Sequence, residues 1–82
     1  MKKMSKKWNG STMDITVTEG NTAWQFVACF HEETNAWNTF GYIYTEDGED
    51  NLTEFRKDSV SDDEVGEMIS RFEQEYGPKI AR

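Results

Sequence analysis

Only one segment of this chain carries the apolar spacing of a helix. Val65, Met68, Ile69, Phe72 and Tyr76 recur three or four residues apart and make one stripe. Ser61 stands where an N-cap is wanted, with Glu64 three residues on as in a capping box. Val60 and Val65 flank the cap as a hydrophobic staple. Asp62, Asp63 and Glu64 fill the first turn, where the helix dipole favours negative charge. Gly77-Pro78 ends the segment. One helix buries one face of a sheet, so the residues before Ser61 must be arranged around a single cover.

Those residues read as strands. Positions 12–18 alternate strictly, with Met13, Ile15 and Val17 on one side, and are rich in β-branched side chains. A turn at 19–22 leads to 23–32, the most apolar run. A turn at 33–35 leads to a third strand over 36–45. Glu46-Asp47-Gly48-Glu49-Asp50 is an acidic loop with the hairpin dipeptide Asp-Gly at its centre. A shorter, more polar run over 51–57 reads as an edge strand. The expectation is an α+β fold: a four-stranded, mainly antiparallel sheet with one C-terminal α-helix packed on one face. Residues 1–8 read as a basic N-terminal tail, 9–78 as a single domain and 79–82 as a C-terminal tail. A chain of 82 residues has room for one domain only.

A tight turn at Thr34-Asn35 pairs Ala28 with Gly41, Phe26 with Ile43 and Val27 with Tyr42. Opposed residues share a face. One face then holds Trp24, Phe26, Ala28, Phe30, Gly41 and Ile43, with Trp37 near its end; small residues at 28 and 41 would let the helix approach. The other face holds Val27, Cys29, Phe40, Tyr42 and Tyr44. A second helix is not there to cover those aromatics. They are covered either by neighbouring strands, the N-terminal segment or Trp8, or by a partner or second copy of the chain, since aromatics with polar tips are enriched in interface cores.

Charge narrows the partner. The chain has 9 Lys and Arg against 16 Asp and Glu, a net charge of −7. Lys2, Lys3, Lys6 and Lys7 hold four of the positive charges, so positions 8–82 carry −11. Such a field repels phosphate backbones and attracts basic surfaces; direct nucleic-acid binding would need basic clusters on the fold itself. No apolar run is long enough to span a membrane, and the lysine-rich start is not followed by the apolar stretch of a secretory signal, so a cytoplasmic protein is expected.

Sites for chemistry are hard to find. Cys29 and His31 share a strand face, but Glu32 cannot join them and no Asn or Asp is placed to orient the histidine. One Cys and one His fall short of a zinc set. The 46–50 loop lacks calcium-loop spacing. The phosphate-binding and nucleophile-elbow motifs are missing. No enzyme, metal or cofactor is expected.

The reading is a small acidic protein-binding module. Its candidate contact residues are Phe40, Tyr42 and Tyr44 on the sheet, Glu46, Asp47, Glu49 and Asp50 on the loop, and Asp62, Asp63 and Glu67 on the helix. A basic cleft built for phosphate accepts a spaced array of carboxylates. In size, charge and layout the chain resembles the small acidic inhibitors that phages and mobile elements make. That resemblance implies an inhibitor that blocks a basic, nucleic-acid-binding site on a host protein. The alternatives are a structural or oligomeric accessory protein using the aromatic face, for instance as a homodimer, and a weak RNA-binding protein stacking bases on Tyr42 and Tyr44.

Overall fold

The computed structural model describes residues 1–78, so the expected tail at 79–82 lies outside the described residues. The chain runs through β1 (Lys3–Asn9), β2 (Thr12–Glu19), β3 (Thr22–His31), β4 (Ala36–Thr45), β5 (Gly48–Asn51), a 3-10 turn (Thr53–Phe55), β6 (Lys57–Val60) and α1 (Asp62–Tyr76). Every strand pair is antiparallel, in the order β1-β2-β3-β4-β5, with β6 also on β4. The fold is α+β with a C-terminal helix, as expected, but the sheet has six strands rather than four.

Two segments account for the difference. Residues 3–9, read as a tail, form β1 on the outer edge of β2. An unpaired β2 would expose a row of backbone donors and acceptors, and a lysine-rich strand both satisfies them and discourages further edge pairing. Lys6 reaches α1 and pairs with Glu73 at 2.6 Å, and the Lys2 ammonium lies 5.4 Å from the Trp24 ring centre. The second is 46–60: the loop expected over 46–50 shortens to Glu46-Asp47, and in place of one strand over 51–57 two short strands form, β5 before that run and β6 at its end. Here β5 pairs with one end of β4 and β6 with the other. Between them the chain leaves the sheet in the 3-10 turn and buries Phe55 completely. The hydroxyl of buried Thr39 donates to the Phe55 carbonyl at 2.8 Å and holds that turn down. On rejoining the sheet, Ser59 has φ of 57° at an irregularity in the β4–β6 pairing, where its N–H donates to Asn38 Oδ1 at 3.1 Å.

The β3–β4 register is shifted by two residues from the expected one: His31 pairs with Ala36, Phe26 with Gly41 and Gln25 with Tyr42. The turn spans residues 32–35, and Asn35 takes the positive φ of 53° that closes it. A shift of two leaves every side chain on its expected face, because the strand period is two.

The core lies between one sheet face and α1. Met13, Ile15, Val17, Phe26 and Ala28 meet Val65, Met68 and Phe72, with Phe55 and Val60 closing the side. Phe26, Phe55 and Phe72 ring centres lie 5.5–6.0 Å apart, and Trp24 stacks on Tyr76 at 5.6 Å. At the helix start the Glu64 N–H donates to Ser61 Oγ at 3.3 Å. The Glu64 carboxylate takes Lys57 instead of turning back to the cap, so the box is half formed; a charged partner makes the stronger hydrogen bond.

Candidate functional site

The sheet face away from α1 is crossed by rows of opposed side chains. One row runs Lys7, Asp14, Val27, Phe40; the next Ser5, Thr16, Gln25, Tyr42, Asn51; the third Lys3, Thr18, Ala23, Tyr44, Glu49. No helix among the described residues covers this face. Trp8, considered as a cover, belongs to the opposite face, opposed to Met13. Phe40, Tyr42 and Tyr44 therefore form a half-buried stripe along β4, with the Tyr42 and Tyr44 rings 6.3 Å apart.

A polar chain fixes the stripe. Tyr44 donates its hydroxyl to Gln25 Oε1 at 2.8 Å, and Gln25 Nε2 donates to Asp14 Oδ2 at 2.8 Å. Thr16 completes it by donating to Asp14 Oδ1 at 3.1 Å. Burial raises the Tyr44 pKa above its ordinary value, and the Glu49 carboxylate opposite adds to the rise. Tyr44 is thus a neutral, oriented donor and acceptor at neutral pH.

The predicted acidic residues do not form one array. Glu46 and Asp47 are the tip of the β4–β5 hairpin, between Thr45 and Gly48, and Glu46 accepts from Asn21. Glu49 lies on the aromatic face beside Tyr44, whereas Asp50 opposes Ile43 on the other face. Asp62, Asp63 and Glu67 sit at the start of α1, against the far end of β4, where Asp62 Oδ1 accepts from Trp37 Nε1 at 2.6 Å. Nine residue steps of β4 separate Trp37 from Glu46, roughly 30 Å at the usual strand rise. The hairpin carboxylates continue the aromatic stripe; the helix carboxylates belong to the opposite end of the molecule.

Sequence reasoning missed three groups. Asp14 and Gln25 look like ordinary polar positions, and only the pairing shows that they hold Tyr44. Asn38 reaches His31 Nε2 at 3.2 Å from β4, correcting the expectation that nothing orients that histidine. The Cys29 sulfur beside them is contacted by Thr12 Oγ1 at 3.8 Å. Trp8, Phe30 and Trp37 come together at the helix start, a grouping invisible before β1 is known to be a strand. Among the described residues no group of three or more His, Cys, Asp or Glu side chains converges as a metal site requires, and no helix is long and apolar enough to cross a membrane. No family model, curated protein or solved structure matches the chain, so the functional reading rests on this geometry.

Proposed function

We propose that this protein is a small acidic binding module whose open sheet face docks on the basic, nucleic-acid-binding surface of another protein and blocks it, in the manner of the small inhibitors of phages and mobile elements. One observation carries the reading. Helix α1 leaves Phe40, Tyr42 and Tyr44 half-exposed in a row that leads directly to Glu49 and the acidic hairpin tip. The aromatics supply contact area with polar tips, and the carboxylates supply complementarity to a basic rim. The net charge of −7 adds long-range attraction to such a partner.

A specific feature also speaks for RNA. Lys3 and Lys7 share the open face with Tyr42 and Tyr44, three strand spacings or about 14 Å away. Asp14 beside Lys7 and Glu49 beside Tyr44 oppose a phosphate backbone on the same face, and the protein partner is favoured for that reason. The test is affinity purification from the native host, followed by a competition assay on the captured protein. A captured nucleic-acid-binding protein should release its DNA or RNA as this chain is added. Nucleic acid retained on the purified chain itself would favour the RNA reading, and concentration-dependent self-association without a partner would favour a homodimer.

A further inference from the structure

The end of the molecule away from the acidic hairpin holds an open groove of ≈ 680 Å³, between the β1–β2 turn, the facing ends of β3 and β4, and the start of α1. Three aromatic side chains wall it. The Trp8 and Trp37 rings lie 6.2 Å apart at 66°, and the Phe30 and Trp37 rings 5.1 Å apart at 59°, so their planes meet as corners. Trp8 is 65% exposed, leaving most of its indole bare, whereas Trp24 at the other end is stacked on Tyr76. Two carboxylates, Glu32 and Asp62, stand on the rim. The hydrogen bond from Trp37 Nε1 fixes Asp62 through Oδ1. Among the described residues neither carboxylate is paired with a Lys or Arg, and no basic side chain lines the groove.

We propose that this groove receives an arginine side chain of a protein partner. A guanidinium is planar and weakly hydrated, stacks on aromatic faces and donates in a fork to carboxylates. The groove offers both halves of that recognition: bare indole surface from Trp8 with Trp37, and acceptors from Glu32 and Asp62. A lysine ammonium satisfies the charge but is compact and more strongly hydrated, so it gains less from the rings. An apolar side chain would strip water from two carboxylates and return nothing to them. Charge complementarity therefore selects the occupant. The site lies at the opposite end of the sheet from the Tyr42–Tyr44 stripe and on the other face, and it stands whether or not that stripe binds a partner.

The test uses the full chain labelled with nitrogen-15 and reads the Nε1–H signals of its three tryptophans. The probes are N-acetyl-arginine amide and the uncharged isostere N-acetyl-citrulline amide. The arginine probe should move the Trp8 and Trp37 signals along a saturable curve and leave Trp24 in place. Trp8→Ala and Glu32→Gln, both at exposed positions, should each weaken that binding by a factor of about five, the scale of one exposed cation–π or ionic contact. An unmoved Trp24 signal reports that each variant keeps its fold. Equal binding of the citrulline probe would overturn the proposal, as would equal shifts at all three indoles or unchanged affinity in both variants. Shifts of Trp8 and Trp37 on simple dilution would also overturn it, by showing that a second copy fills the groove.

Discussion

A β-carbon on Gly41 would lie 2.8 Å from the Cβ of Phe55, closer than side-chain carbons come in folded proteins. It would also lie 2.9 Å from both the Cβ and the carbonyl oxygen of Leu52. The Leu52 N–H donates to the Gly41 carbonyl at 2.8 Å, so the 3-10 turn is bound to the strand at the residue that makes room for it. Gly41 therefore serves this turn, not the approach of α1. Gly41→Ala should destabilise by about 1–3 kcal/mol, the usual cost of overpacking. Thermal melting should show a loss of about 4–8 °C per kcal/mol for a domain of this size. An unchanged midpoint would mean that the turn can move away from β4 freely.

Phe72 is fully buried against Phe26, Phe55 and Tyr76. Phe72→Ala should cost about 3–5 kcal/mol, since the three rings cannot all collapse into the space. Urea titration is the measurement, and a midpoint matching the parent's would show that α1 contributes little to the core.

Tyr42→Ala with Tyr44→Ala removes most of the exposed stripe while leaving the core face untouched. Far-ultraviolet circular dichroism should match the parent, with a modest stability loss from the broken Tyr44–Gln25 hydrogen bond. Binding to the captured partner should weaken. Full affinity in the double variant would move the interface off the open face.

Asp47→Lys, Glu49→Lys and Asp50→Lys reverse three exposed charges of the hairpin. Charges of this kind act mainly on encounter, so the association rate should fall and the dissociation rate should change less. Raising salt from 0.1 to 1 M shortens the screening length from about 10 to about 3 Å and should slow the parent in the same way. Surface plasmon resonance at both salts reads this; a rate indifferent to salt and to charge reversal would leave the acidity to solubility alone.

Tyr76 gives a pH signature. Burial, with Glu75 and Glu54 adding repulsion, pushes its pKa from 10.0 up to about 12. The folded chain therefore keeps this proton where the unfolded chain has lost it. Between pH 10 and pH 12 the native state binds more protons, so stability falls as pH rises through that window. Absorbance at the tyrosinate band should show a step near pH 12 from Tyr76, and Tyr76→Phe should remove that step and flatten the stability loss. A variant whose stability falls with pH as the parent's does would place the cause in another group.

Much of the fold was legible because its signals are local. The Ser61 cap, the acidic first turn and the stripe from Val65 to Tyr76 lie within one helix, and the alternation of Met13, Ile15 and Val17 lies within one strand. Even a register wrong by two residues left Phe40, Tyr42 and Tyr44 on the open face. The candidate site was legible to the same extent: its aromatics follow from strand parity, whereas the Asp14–Gln25–Tyr44 chain joins three strands and follows from their pairing alone.

The sequence by itself determined that a single helix would cover one sheet face and leave an aromatic stripe on the other, because caps and periodicities act over a few residues. Only the tertiary structure decided the rest. Residues 3–9 become a strand because β2 offers an edge to pair with, a fact about a distant neighbour and not about lysines. The 51–57 run breaks because Phe55 gains more by entering the core over Gly41 than by continuing along β4. The acidic residues of the hairpin and of the helix, one candidate array in sequence, end at opposite ends of a ten-residue strand. The groove of Trp8, Phe30, Trp37, Glu32 and Asp62 draws on four separate parts of the chain. Long-range pairing brings such residues together, and no local pattern records it.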